Sequence, residues 1–188
     1  TCALPILVHL YGVPAKMKKI LEIAKENNLK VFEDASQAHG SEYQGKRVGC
    51  FGMAGCFSLY PSKPLGAAGN AGMIVSNSSG FIKKAEMYAH HGIADRQKKY
   101  QHDVIGYNEL LDNVQAAAVD LRLDKLDELI NERLKLAGIY NQTFQQFSHP
   151  GMQWSADARP ALYIYSVQIT RRHRFQKFME SQIGRAHV

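Results

Sequence analysis

A strand–helix–strand pattern at the start of the chain restricts the fold more than any other feature. Residues 6–10 form a short apolar run that predicts a buried strand, and Pro14 then opens a helix whose apolar face ends at residues 27–28. A second apolar run, residues 29–32, predicts the next strand. Two strands joined through a helix within about thirty residues are parallel, with a right-handed crossover. The pattern therefore predicts an α/β fold with a mostly parallel sheet.

Further strands and helices follow along the chain. Their patterns predict a surface turn at 42–52, strands at 55–59 and 72–76, a helix at 81–90, a long polar loop at 93–106, helical residues 111–147 with a break near Asp124, a strand at 161–169 and a helix at 175–183. Helices on both sides of the sheet would give three layers. Because residues 148–151 are a strong stop signal, we expect one domain over residues 1–148 and the beginning of another over 149–188.

Composition excludes several classes of protein. No apolar run approaches the ~20 residues of a membrane span, and we expect no signal peptide. The three cysteines are too few and too oddly spaced for a disulfide framework or a zinc site, so we predict no metal and a cytoplasmic location. The net charge of +6 fits an anionic partner such as nucleic acid. The basic residues are scattered, however, so a nucleic-acid-binding module is the least favoured function.

Two polar clusters lie where predicted strands end. Asp34 follows one strand, and Ser58 and Lys63 lie at the end of another. Since the reactive side chains of α/β proteins lie at the carboxyl ends of strands, we expect these residues to be neighbours. A lysine in an apolar loop can form a Schiff base with an aldehyde, and pyridoxal phosphate needs that amine and a carboxylate for its ring nitrogen. A plain ion pair between Asp34 and Lys63 is the alternative.

Six motifs occur in one order over nearly the entire chain, at residues 8–12, 33–40, 56–63, 91–92, 106–108 and 112–117. Together they resemble the DegT/DnrJ/EryC1/StrS family of sugar aminotransferases. The resemblance implies part of the large domain of a fold type I aminotransferase, followed by the start of its small C-terminal domain. It also implies a homodimer that uses pyridoxal phosphate and acts on nucleotide-linked keto sugars, with glutamate as the usual amino donor and 2-oxoglutarate as the product.

The resemblance further implies a role for each site residue. Lys63 matches the lysine that binds the cofactor aldehyde and shuttles a proton, and Asp34 matches the partner of the pyridinium nitrogen. Gln37 matches an amide that contacts the ring hydroxyl, and Ser58 matches a phosphate ligand. Asn108 matches a residue that reaches the cofactor phosphate of the other subunit, which makes residues 93–108 a dimer element.

The chain also departs from the family pattern. Leu110 replaces a common arginine, and Pro64 stands where asparagine is common. Family members are roughly twice as long, so we expect a fragment truncated at both ends, without the segment that completes the phosphate cup. Two functions remain open: an aminotransferase present as a fragment, or an inactive remnant that folds and self-associates without turnover.

Overall fold

The computed structural model describes residues 5–95, 97–98 and 100–183, and it confirms the predicted α/β fold. The strands are β1 (Ile6–Val8), β2 (Phe32–Asp34), β3 (Glu42–Tyr43), β4 (Lys46–Arg47), β5 (Ala54–Ser58), β6 (Gly72–Val75) and β7 (Ala158–Arg159). The helices are α1 (Met17–Glu26), α2 (Ser79–Ala89), α3 (Asn113–Leu123), α4 (Leu126–Gln146) and α5 (Arg172–Ile183), with a short 3-10 turn at Leu10–Gly12. None of the helices in this described part of the chain is long and apolar enough to cross a membrane.

The main sheet has four strands in the order β1-β2-β5-β6. β1 and β5 flank β2 and run parallel to it, whereas β6 is antiparallel to β5. The parallel strands predicted around α1 are therefore confirmed, and two of the three strand pairs are parallel. In register, Val8 lies opposite Asp34 and Asp34 lies opposite Cys56. The carboxyl ends of β1, β2 and β5 thus form one edge.

Three sequence predictions about local structure are wrong. The second strand is β2 rather than residues 29–32, since pairing with both neighbours extends it to Asp34. Residues 42–52 are not a surface turn: β3 and β4 form a hairpin, and Val48 and Gly49 behind it are buried. Residues 161–169 are irregular rather than a strand, because β7 pairs with β3 just before them and the chain then turns onto the end of β1.

The hydrophobic core joins this sheet edge to the long helices. Leu59 and Ala161 pack with Ile130 of α4, and Met152 and Leu162 pack on Ala137, about two turns further along the same helix. The predicted helix break near Asp124 is confirmed, since α3 ends at Leu123 and α4 begins at Leu126. Packing on α4 therefore brings residues from beyond 148 back to the edge where β1, β2 and β5 end. The predicted domain division at residue 148 stays a prediction.

Candidate active site

Asp34 and Ser58 lie at the carboxyl edge of the main sheet on one face. Asp34 ends β2 and pairs in register with Cys56, and Ser58 follows two residues later at the end of β5. Because side chains alternate along a strand, Asp34, Cys56 and Ser58 point to the same side of the sheet. Both Asp34 and Ser58 are half-buried. The predicted proximity of the two clusters thus follows from parallel strand pairing.

Asp34 keeps one carboxylate oxygen without a hydrogen bond in the described residues. Its Oδ1 accepts a hydrogen bond from the backbone N–H of Ser36 at 3.0 Å, which fixes the carboxylate at the start of the following turn. Burial and then the negative charge of Asp34 raise the pKa of the Cys56 thiol. Asp34 therefore has a fixed orientation and a free oxygen, and its charge acts on Cys56 of the neighbouring strand.

Gln37 has its amide oriented by an unusual turn at the end of β1. Its Oε1 accepts a hydrogen bond from the backbone N–H of Tyr11 at 2.7 Å, which leaves the Nε2 group as the available donor. Tyr11 has a φ of 60°, and Gly12 follows with a φ of 83°. A Cβ at Gly12 would lie 2.9 Å from the backbone oxygen of Gln37 and from the backbone nitrogens of residues 162 and 163, so only glycine fits there.

Lys63 projects from a compact loop after β5. Its backbone N–H donates to the carbonyl of Tyr60 at 2.9 Å, and Ala67 N–H donates back to Leu59 at 2.7 Å. The lysine is half-buried, and its Nζ lies 4.9 Å from the centroid of the Tyr163 ring. No described carboxylate forms an ion pair with it, so the alternative of an Asp34–Lys63 surface pair is not what the structure contains.

His39 is a buried imidazole beside this site to which sequence reasoning assigned no role. The ring is 2% exposed, packs against Phe57 at a centroid distance of 5.4 Å, and has no hydrogen-bond partner on either nitrogen within the described residues. Burial, and also the positive charge of Lys63, lower the pKa of His39 to about 4. The backbone of Ser58 opposes this shift without reaching hydrogen-bond geometry. The imidazole is therefore neutral near pH 7.

A second feature that sequence reasoning missed is the buried pair of His9 and Glu33. His9 Nε2 lies 3.1 Å from Glu33 Oε2, and both side chains are fully buried. Glu33 also accepts backbone N–H bonds from Gly49 at 2.7 Å, Phe51 at 2.6 Å and Gly52 at 2.7 Å. Burial raises the pKa of Glu33, but these hydrogen bonds outweigh it and the net pKa is lowered. Glu33 directly precedes Asp34 at the end of an apolar run, and no pattern in the sequence distinguishes the two acids.

Asn108 lies beside the end of α2. It forms an isolated antiparallel bridge with His90 at the end of α2 and is exposed to solvent. The adjacent backbone is held by bonds from His91 N–H to Tyr107 O at 2.8 Å and from Glu109 N–H to Ala89 O at 3.0 Å. No contact in the described residues joins Asn108 to Asp34, Gln37, Ser58 or Lys63.

The free polar atoms at the sheet edge match the chemistry of pyridoxal phosphate. Asp34 Oδ2, Gln37 Nε2 and Lys63 Nζ have no hydrogen-bond partner among the described residues. An acceptor for a ring nitrogen, a donor for a ring oxygen and an amine for an aldehyde are the groups that this cofactor requires. The residues present therefore fit the cofactor.

Comparison with known proteins supports the same assignment. The sequence model of the DegT/DnrJ/EryC1/StrS aminotransferase family matches residues 4–186. A dTDP-3-amino-3,4,6-trideoxy-alpha-D-glucose transaminase from Streptomyces venezuelae is 34% identical over 93% of this chain and 46% of its own length. A UDP-N-acetyl-3-dehydro-alpha-D-glucosamine 3-aminotransferase from Acidithiobacillus ferrooxidans is 42% identical over 72% of this chain and 36% of its own length.

A solved structure has the same fold over almost all of the chain. The crystal structure of a DegT DnrJ EryC1 StrS aminotransferase from Brucella abortus superposes with a TM-score of 0.87 and 29% identity, covering 94% of this chain and 47% of that protein. The chain thus spans about half the length of such relatives. Sequence motifs, fold and the family match agree, and the chain belongs to the DegT/DnrJ/EryC1/StrS aminotransferase family.

Proposed function

We propose that this chain carries part of the active site of a pyridoxal-phosphate-dependent aminotransferase that acts on nucleotide-linked keto sugars, with glutamate as the amino donor. The observation that carries the proposal is the set of free polar atoms on Asp34, Gln37 and Lys63 at one sheet edge. Relatives named as transaminases of dTDP- and UDP-linked sugars support the substrate class. Cytoplasmic location stays a prediction.

The proposed roles follow from the chemistry of each side chain. When bound, pyridoxal phosphate supplies an aldehyde and an electron-accepting ring. Asp34 would hold a proton on the ring nitrogen through its free oxygen, and Gln37 would donate its Nε2 hydrogen to the ring hydroxyl. Ser58 would donate its hydroxyl to the phosphate. Lys63 would bind the aldehyde and move a proton at its Nζ.

The proposal includes a homodimer in which Asn108 reaches the cofactor phosphate of the other subunit. Three large side chains near it support an intermolecular contact, since Tyr100 is 92% exposed, Ile105 is 93% exposed and Tyr107 is 65% exposed. Exposed apolar side chains grouped in one loop are typical of a surface that another protein covers. We expect Ile105→Glu to shift the chain from dimer to monomer in sedimentation velocity. An unchanged dimer would place the interface elsewhere.

Reductive trapping of the cofactor tests the site. The chain is incubated with pyridoxal phosphate, reduced with borohydride and digested, and the modified peptides are mapped by mass spectrometry. We expect label at Lys63 in clear excess over Lys46 and Lys84, which serve as internal references because each also lies over an aromatic ring. The variant Lys63→Arg should lose that excess. Label distributed evenly over the lysines would refute the proposed site.

An inactive remnant that folds and self-associates without turnover is the alternative function. The two candidates differ in turnover rather than in cofactor binding. Transfer of the amino group from glutamate to a nucleotide keto sugar by this chain alone would eliminate the remnant. Label at Lys63 without any 2-oxoglutarate release would favour it.

A further inference from the structure

We propose that Tyr163 is a positioning residue that holds the ammonium group of Lys63 over its ring. The inference rests on the proposed function, because it assigns a resting position to the amine that would bind the cofactor. Nζ of Lys63 lies 4.9 Å from the Tyr163 ring centroid, within the distance at which an aromatic face attracts a cation.

The Tyr163 ring is held on two sides. The backbone N–H of Tyr163 donates to Tyr11 O at 2.9 Å, and its phenol oxygen lies 3.4 Å from Ser62 Oγ, next to the lysine. The preceding residue, Leu162, is buried in the core that includes Ala137 of α4. The ring is thus anchored through its main chain, whereas the 3.4 Å contact of its hydroxyl is weak, so the ring offers the lysine a fixed surface that does not depend on the hydroxyl.

Tyr163 also joins the lysine loop to the turn that orients Gln37. The backbone nitrogen of Tyr163 lies where a Cβ on Gly12 would approach to 2.9 Å, and Gly12 follows Tyr11, whose N–H holds the Gln37 amide. One residue from beyond position 148 therefore contacts both the amine and the turn behind the amide. This contact is one of those that the irregular segment after β7 makes at the sheet edge.

Chemical modification of the cofactor-free chain tests the inference independently of catalysis. Acetic anhydride reacts with neutral amines, so the initial rate of acetylation at Lys63, measured by peptide mass spectrometry, reports how strongly the ammonium form is held. Lys46, whose Nζ lies 4.8 Å from the Phe51 ring, is the internal reference. We expect Tyr163→Leu to raise the Lys63 rate about two- to five-fold near pH 7, the size of a cation–π contact.

A non-aromatic variant of similar length separates this role from simple shielding. Tyr163→Met keeps a side chain that can cover the amine but has no aromatic face, so it should react like Tyr163→Leu if the ring attracts the charge. A rate like that of the original chain would show that the ring merely blocks access. Tyr163→Phe keeps the aromatic face and should react like the original chain.

Two further results would overturn the inference. One is an unchanged Lys63 rate in Tyr163→Leu, and the other is a Phe variant that behaves like the Leu variant. Tyr163→Trp keeps the test decisive if Tyr163→Leu does not fold, since the larger ring should lower the Lys63 rate below that of the original chain. Loss of cofactor labelling at Lys63 would refute the proposed function alone, because acetylation needs no cofactor.

Discussion

Glu33 and Asp34 are consecutive carboxylates on β2 that face opposite sides of the main sheet and have opposite surroundings. Glu33 is fully buried and accepts hydrogen bonds from His9 and three backbone N–H groups. Asp34 is half-buried, and its side chain accepts a hydrogen bond only from the backbone N–H of Ser36 among the described residues. On one face, both oxygens of the Glu33 carboxylate accept hydrogen bonds, and these bonds hold the loop at residues 49–52 against the sheet. On the other face, the Asp34 carboxylate retains an unused oxygen, as expected of a group that binds a ligand.

The largest expected effect is on stability, at Glu33. Glu33→Ala leaves three backbone N–H groups and the His9 ring without their acceptor, and buried polar groups that lose a partner cost roughly 3–5 kcal/mol in total. Urea denaturation followed by circular dichroism measures the loss. The matched control is Glu42→Ala, a partly exposed carboxylate paired with Arg47 and Arg159, which should cost about 1 kcal/mol or less. Equal losses in both variants would contradict the contrast.

The next largest expected effect is the pH dependence of stability that His39 causes. The pKa of His39 is about 4 in the folded chain and 6.5 in the unfolded chain, so protons bind the unfolded chain more tightly. Stability is therefore complete above pH 6.5 and falls as the pH decreases toward 4, by roughly 3 kcal/mol if this group acts alone. Urea midpoints across this range measure the loss.

His39→Phe should remove the part of the pH dependence that lies between pH 6.5 and 4. A further loss should remain at lower pH. The pKa of Glu33 is lowered from 4.5 in the folded chain, so the stabilisation by its ionised form is complete above pH 4.5 and is lost as the pH falls further. A His39→Phe profile identical to that of the original chain would show that the buried imidazole is not the titrating group.

The smallest expected effect on stability is at Asp34. Asp34→Asn keeps an oxygen for the Ser36 N–H and leaves no buried donor unpaired, so the free energy of unfolding should change by about 0.5 kcal/mol or less. The same urea titration measures it beside Glu33→Gln, which changes the same atoms on the buried face. A loss of unfolding free energy at Asp34 as large as that at Glu33 would show that both carboxylates stabilise the fold.

The sequence predicted the strands that form the sheet edge more accurately than it predicted residues 158–169, which return to that edge. The short apolar runs on either side of α1 predicted parallel strands, which placed Asp34 and Ser58 together. The errors at residues 42–52 and 161–169 share one cause, because β3 pairs with β7 from more than a hundred residues away. Short-range patterns contain no information on that pairing, on the Tyr163 contact to Lys63, or on the burial of Glu33.

Equilibrium binding of pyridoxal phosphate to the original chain and to Asp34→Asn tests the central contrast most directly. Loss of a charge-assisted hydrogen bond should weaken cofactor binding about 10- to 100-fold, while the free energy of unfolding stays nearly unchanged. Binding is followed by the absorbance of the cofactor, with Lys63→Arg as the control for attachment at the lysine. Equal affinity of Asp34→Asn and the original chain would contradict the account, because the free oxygen of Asp34 would then have no ligand to bind.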